Sequence, residues 1–243
     1  MRAVAILLVL FGTAAAQENL LPREGSGWLG FAVGSRVKTK QTFITARGSP
    51  SVTLTETTLV EATKTTITYS YETKTALGVD NQSERRVLPA HGEADTGEKA
   101  VDGAPKKAEV QACGQTFPCT VRTTTITGPT GKRVVTNWEA SDPKVRVKRT
   151  EVTYDKEGKQ TQTFSMLLTS LDEKKKVSGK EIRCLKYRTL RIVGPIEQKG
   201  TALLSRDVPG GIVQWDLEFL QDGVKATTAR IEVLAFTAKI GSR

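Results

Sequence analysis

The chain has 243 residues, a single histidine, and 36 lysines and arginines against 26 aspartates and glutamates, for a formal charge of +10. That length buries a substantial core and fits one large β domain or two small ones. The lone His91 argues against histidine-based hydrolysis and metal ligation, and the excess positive charge favours anionic partners such as phospholipid headgroups or acidic envelope polymers.

Residues 1–16 read as a signal peptide. Arg2 supplies the basic start, Ala3 to Phe11 an apolar run too short to span a bilayer, and Ala14-Ala15-Ala16 the small residues that signal peptidase cuts after. The mature chain is expected to begin at Gln17, to be periplasmic or secreted, and to carry 10 − 1 = +9 once Arg2 is lost. The first cysteine is Cys113, so no lipid anchor is expected. Nor is a transmembrane segment expected after signal removal, and export makes nucleic acid the least natural anionic partner.

Beyond the signal the chain is expected to form a single β-rich domain, residues 17–243. Threonine clusters at 53–58, 63–68 and 123–127 suit a pleated, half-buried surface. Ile67, Tyr69 and Tyr71 alternate with Thr66, Thr68 and Ser70, the period of a strand with one buried face. From Gly78 to Ala112 this periodicity is lost and Gly, Pro, Ala and charge accumulate; residues 78–112 are expected to be a mobile insertion, or alternatively a linker between two domains. Cys113 and Cys119 flank Gly-Gln-Thr-Phe-Pro, a turn-rich loop, and in an exported chain they are favoured as a disulfide over Cys119 with Cys184. They lack the spacing and neighbouring histidines of a zinc site.

Gly128-Pro-Thr-Gly-Lys-Arg133 lacks the first glycine and the hydroxyl residue of a phosphate-binding loop and reads as a hairpin turn. Val145 and Val147 alternate with Lys144, Arg146 and Lys148, while Val152 and Tyr154 fall on the opposite parity, which predicts a bulge or bend between them. Turn residues at 155–158, 178–179, 209–211 and 222–223 separate further apolar runs. Val213, Trp215, Leu217 and Phe219 alternate with Gln214, Asp216 and Glu218. With Ile67, Tyr69 and Tyr71 they form a candidate apolar ligand face or, alternatively, core.

An internal repeat organises the second half. Gly114-Gln-Thr-Phe-Pro-Cys119 aligns with Gly179-Lys-Glu-Ile-Arg-Cys184 at an offset of 184 − 119 = 65, which also relates Asp142 to Asp207 and Gly158 to Gly223. A fainter match at an offset of 110 relates Trp28–Lys38 to Trp138–Lys148. The predicted fold is all-β, an antiparallel meander of about ten strands curling into an open or half-closed barrel with hairpin-unit pseudo-repeats.

No catalytic, cofactor or metal constellation emerges. Glu139, Asp142, Glu151, Asp207, Asp216 and Glu218 keep a paired-carboxylate hydrolase as a third reading, although alternation turns Asp216 and Glu218 outward. Asp207, beside Val208-Pro209-Gly210-Gly211, is expected to fix a strand-entry turn through backbone amides.

The stretch Ser205-Arg-Asp-Val-Pro-Gly-Gly-Ile-Val213, preceded by Gly179 and Cys184, resembles a Ser-x-acidic-Val-Pro-Gly-Gly-x-Val pattern of uncharacterised exported bacterial proteins. Those proteins are distantly similar to periplasmic lipoprotein carriers. The resemblance covers the last part of the chain and implies an open half-barrel whose concave face holds acyl chains; this chain departs from it in lacking clear helices to cover that face. The leading expectation is therefore an exported, non-catalytic protein holding an acyl or other hydrophobic ligand. The alternative is a structural or interaction protein that contacts anionic envelope polymers or a partner protein.

Overall fold

The computed structural model describes residues 27–239 apart from 29–30, 46–47, 49, 64–65 and 88–97. The expected signal peptide at 1–16 and His91 lie outside the described residues. Threonine and other β-branched side chains dominate the strands, and the described residues form no helix. The N-terminal strands are β1 (Arg36–Thr45), β2 (Ser51–Ala62), β3 (Thr66–Thr75) and β4 (Gly78–Val87). The middle of the chain supplies β5 (Lys99–Asp102), β6 (Lys106–Ala112), β7 (Gln115–Gly128), β8 (Gly131–Ser141) and β9 (Lys144–Tyr154). There follow β10 (Gln160–Val177), β11 (Lys180–Val193), β12 (Ile196–Leu204), β13 (Ile212–Gln221) and β14 (Val224–Thr237).

All fourteen lie in one antiparallel sheet ordered β4-β3-β2-β1-β14-β13-β12-β11-β10-β9-β8-β7-β5, with β6 also paired to β7. Most neighbours are successive strands of the meander; the pairing of β1 with β14 seats the first strand against the last. The sheet stays open, ending at β4 on one side and at β5 and β6 on the other. It has more strands than the roughly ten that turn spacing predicts. Three of them, β4, β5 and β6, fall within 78–112. β5 is exposed along its whole length and is held by its ladder to β7. An edge strand of this kind needs no apolar face, so apolar periodicity does not reveal it.

Register gives the sheet one inner face. Asn137, Arg149, Met166, Thr189, Gly200, Leu217 and Ala229 lie side by side across β8 to β14. Two residues along each strand, Val135, Glu151, Phe164, Arg191, Gln198, Phe219 and Thr227 form the next row. Gly200 is needed in this pattern: a Cβ there would stand 2.7 Å from the Thr189 hydroxyl and 2.8 Å from Leu217 Cδ2.

At one end of this face two ribbons run past the neighbouring strands. The first pairs Lys106–Ala112 with Gln115–Val121, while the ladder to β8 begins only at Cys119 opposite Ala140. The second pairs Glu173–Val177 with Lys180–Cys184, after β10 has left β9 beyond Leu167 and bent at irregularities around Ser170. Tyr187 bridges the place where β10 diverges, its hydroxyl donating to the Arg146 carbonyl at 2.8 Å, and burial pushes that phenol up. Each ribbon turns on two residues with left-handed backbone, Cys113-Gly114 (φ 51° and 74°) and Ser178-Gly179 (φ 48° and 80°), the geometry of a tight hairpin.

Both ribbons pack onto the inner face. Val110, Ala112, Phe117 and Cys119 join Val147, Met166, Leu168, Trp215 and Leu217 in one core cluster. Val177, Ile182 and Cys184 join Trp28, Leu59, Ile67, Tyr69, Val208, Val213 and Val233 in a second. At the tip of the second ribbon the Ser178 hydroxyl donates to the Leu234 carbonyl of β14 at 2.8 Å. β14 is three places from β11 in the sheet, roughly 14 Å at ordinary strand spacing, so this ribbon crosses the face rather than extending it.

The expected Cys113–Cys119 disulfide does not form, because all three cysteines are free. Cys113 is the turn itself, whereas Cys119 sits far down the ladder opposite Ala108. At a rise of about 3.3 Å per residue they are separated by more than about 10 Å, beyond the reach of a bridge. Cys184 packs in the other cluster.

Candidate functional site: the open end of the inner face

Among the described residues neither ribbon reaches the opposite end of the sheet, where β8, β10, β12 and β14 begin and β9, β11 and β13 finish. There the inner face changes from apolar to charged along single strands. On β9, Val145 and Val147 are buried in the core and the same parity continues to Arg149 and Glu151. On β11 it passes from Tyr187 through Thr189 to Arg191, and on β12 from Ala202 to Gln198.

Glu151 is shared by two guanidinium groups. Its Oε2 accepts from Arg149 Nη2 at 3.0 Å, and its Oε1 lies 3.6 Å from Arg133 Nη1. Arg149 is 2% exposed, while the side chains of Arg133 and Glu151 are 17% and 13% exposed. Arg191 stands in the same row as Glu151 with Phe164 between them, and its Nη2 donates to Gln162 Oε1 at 2.7 Å. Burial lowers the Arg191 pKa, against an upward pull from Glu151. Its Nε is buried with no hydrogen-bond partner among the described residues. Arg133, Arg149 and Arg191 thus gather around Glu151 where solvent is largely excluded, and charges there interact more strongly than on an open surface.

Apolar side chains share this end of the sheet. Phe43 and Phe219 are half-buried against the first core cluster. Ile196 is half-buried and Val193 is 39% exposed on the adjoining β11–β12 corner.

The candidate ligand face predicted from alternation is divided between the ends. Ile67, Tyr69, Val213, Trp215 and Leu217 are buried, which fits the core alternative, while Tyr71 and Phe219 are half-buried. Tyr69 lies 5.8 Å from the Trp28 ring and 6.4 Å from Tyr71 at the covered end. Trp215 donates from Nε1 to the Thr189 hydroxyl at 3.3 Å. The bulge expected between Val147 and Val152 does not invert the face: Arg149, Glu151 and Thr153 continue inward, and Tyr154 turns away beneath Lys132 Nζ, 4.9 Å from its ring centre.

The strand-entry turn at 205–211 is present, but it is held by a different side chain. The Asp207 amide donates to the Ser205 hydroxyl at 3.3 Å, and Asp207 itself is exposed. Val208 and Pro209 are buried, and Gly210 and Gly211 adopt φ 84° and 78°. Gly210 donates to the Gly27 carbonyl at 3.1 Å, an approach so close that a Cβ on Gly27 would fall 2.4 Å from the Gly210 backbone.

Four of the six acidic candidates are engaged by basic side chains. Asp216 and Glu218 point outward to Arg230 and Lys225, Glu139 pairs with Arg146, and Glu151 is engaged by arginines. Among the described residues no group of three or more His, Cys, Asp or Glu side chains is placed to hold a metal ion.

The arginine cluster went unpredicted although its signal was available. Counting in twos from Val145 and Val147 lands on Arg149 and Glu151, charged residues on an apolar parity. Arg133 and Arg191 carry no such local mark, because their position depends on cross-strand register.

No protein-family model and no curated protein matches this chain. Among solved structures, a Bacteroides fragilis protein described as exported, with a YmcC-like fold, aligns over 86% of this chain and 98% of its own, at 10% identity and a TM-score of 0.40. A LolA superfamily protein from Nitrosomonas europaea aligns over 95% of this chain and 92% of its own, at 9% identity and a TM-score of 0.32. A domain described as an outer-membrane lipoprotein-sorting protein, from Vibrio parahaemolyticus, aligns over 94% and 92%, at 10% identity and a TM-score of 0.34.

Proposed function

We propose that this chain is an exported, non-catalytic protein that holds a hydrophobic ligand on the inner face of its sheet, at the end its ribbons leave open. One observation carries the proposal: among the described residues the single sheet has no second layer beyond its own two ribbons, and these cover one end while Phe43, Phe219, Ile196 and Val193 stay partly exposed at the other. An apolar face without a covering layer is what a sheet protein ordinarily avoids. Export rests on the basic, apolar and small-residue sequence of residues 1–16.

Native mass spectrometry of the mature protein from an exporting host tests this reading. An apolar adduct, co-purified or added as dodecanol, is expected to persist at high ionic strength. A protein that stays bare under both conditions overturns the proposal. The formal charge of +10 favours a second reading, contact with an anionic envelope polymer or an acidic partner protein. Binding of that kind weakens steeply with salt, so the same titration separates the two.

A further inference from the structure

We infer that the turns at the ribbon-free end of the sheet dock on a lipid surface, inserting their apolar residues into a bilayer that contains anionic phospholipid. The inference goes beyond the proposed function and does not depend on it, since a protein that carries no ligand can dock in the same way. Among the described residues eleven large apolar side chains are exposed, and eight of them lie at this one end, in a turn or within the outermost three residues of a strand. Leu77 is 99% exposed in the β3–β4 turn, with Val79 just after it. Ile44 and Val52 flank the β1–β2 turn, Ile192 precedes the β11–β12 turn, and Val224, 70% exposed, follows the β13–β14 turn. Pairing places these turns at a common end. Val193, Ile196, Gln221 and Val224 lie side by side, and Thr45 opposite Thr227, Phe43 opposite Ser51 and Leu54 opposite Lys74 continue the same rim toward β4. Of the eleven, only Val33, Val60 and Leu234 fall at the end that the ribbons cover. Single exposed apolar residues are ordinary on a protein surface; their concentration on the turns of one end is not.

The chemistry of this rim selects the occupant. All eight side chains are aliphatic, and the rim's turns and strand ends also carry exposed lysines, Lys74, Lys99, Lys132, Lys159 and Lys225. Protein interfaces favour Tyr, Trp and Arg and disfavour Lys. At a membrane surface, by contrast, a lysine lays its stem along the apolar layer while its ammonium group stays among the phosphates. The apolar residues also stand on separate projecting turns instead of forming one patch, a shape that suits a fluid interface better than a single protein groove. Carboxylates at the same end, Asp80, Asp155, Glu157 and Asp222 among them, balance the lysines, so the rim is not a purely electrostatic site. Insertion of the apolar side chains supplies the affinity, and the formal charge of +10 on the whole chain steers it toward anionic lipid.

The test is flotation of the mature protein with phosphatidylethanolamine–phosphatidylglycerol vesicles. The wild type is expected to float with the vesicles and to remain bound in 0.5 M salt, which screens charge but not apolar insertion. Leu77→Ser combined with Val224→Ser should lower the partition coefficient at least about tenfold, the transfer energy of one aliphatic side chain. Both side chains are too exposed for their loss to unfold the sheet. Val33→Ser combined with Val60→Ser, the same change at the covered end, should leave partitioning as it is. A wild type that does not float, or equal losses in the two double variants, overturns the inference. Binding that vanishes in 0.5 M salt is adsorption by charge alone and overturns it too. A dimer in sedimentation velocity that Leu77→Ser with Val224→Ser dissolves, in a protein that does not float, assigns the rim to a second copy of the chain instead. Vesicle binding by a protein that native mass spectrometry finds bare supports the rim and leaves the ligand reading overturned, so the two fail separately.

Discussion

Val147 and Arg149 sit two residues apart on the same face of β9, both almost wholly buried, yet they belong to different ends of the molecule. Val147 packs in the core cluster that the first ribbon closes with Phe117 and Val110. Arg149 faces the end that neither ribbon covers and shares Glu151 with Arg133. Where the inner face is apolar, the chain has supplied its own cover by extending two hairpins beyond their neighbours. Where it turns cationic, neither hairpin reaches. The difference separates a part of the sheet that its own ribbons pack against from a part that they do not reach.

The largest effect expected from that division is on stability. Phe117→Ala should cost about 3–5 kcal/mol, because it empties a buried site under the first ribbon that two paired strands cannot collapse to fill. Phe219→Ala, at a half-buried site on the open end, should cost less, about 1–2 kcal/mol, because part of that side chain is already exposed. Urea unfolding monitored by Trp fluorescence measures both. Equal losses would mean that the open end is core like the other, and would break the comparison.

The sequence carried the covered end better than the open one. The 65-residue offset between Gly114–Cys119 and Gly179–Cys184 corresponds to a real equivalence: in each ribbon the glycine completes the left-handed turn, and Phe117 or Ile182 packs inward two residues before a buried cysteine. Even the thiols match, Cys119 Sγ contacting the Phe117 carbonyl at 3.4 Å and Cys184 Sγ the Ile182 carbonyl at 3.5 Å. These features are local, so a period-two pattern and a turn dipeptide suffice to find them. The pairing of β1 with β14 and the convergence of Arg133, Glu151 and Arg191 are not local. They follow from register across strands that are distant in sequence, and no spacing rule encodes which arginine will lie beside which carboxylate. The cysteines depart from expectation for a related reason: closeness in sequence is not closeness in space, because a two-residue hairpin turning at Cys113-Gly114 carries Cys119 well away from its tip.

A pH titration sharpens the comparison by reporting how dry the covered end is. Burial pushes the Cys184 thiol from an ordinary 9.0 up to about 11, with smaller upward pulls from Glu173 and Asp207. The unfolded chain therefore loses this proton first. The stabilisation is fully present below about pH 9, is lost as pH rises toward about 11, and is flat beyond it. The wild type minus Cys184→Ala difference in unfolding free energy should fall across that window, and a flat difference would show that water reaches the second ribbon's inner side. Cys113, only half-buried at the first turn, should react with a maleimide before Cys119 or Cys184 at pH 8.

The smallest effect belongs to the outer side of the second ribbon. Lys174 with Glu181 at 2.9 Å and Arg183 with Asp172 at 2.8 Å make that surface look strongly braced. The Arg183 and Asp172 side chains are 75% and 57% exposed, however, and exposed pairs return little for the side-chain freedom they give up. Asp172→Asn should change stability by less than about 0.5 kcal/mol, and by less still in 0.5 M salt. If it costs as much as Phe117→Ala, charge and not apolar packing holds the ribbon down, and the covered end would then open with ionic strength. The Ser178 bond to Leu234 and the burial of Val177, Ile182 and Cys184 argue for the first outcome, since none of these contacts weakens when salt is added.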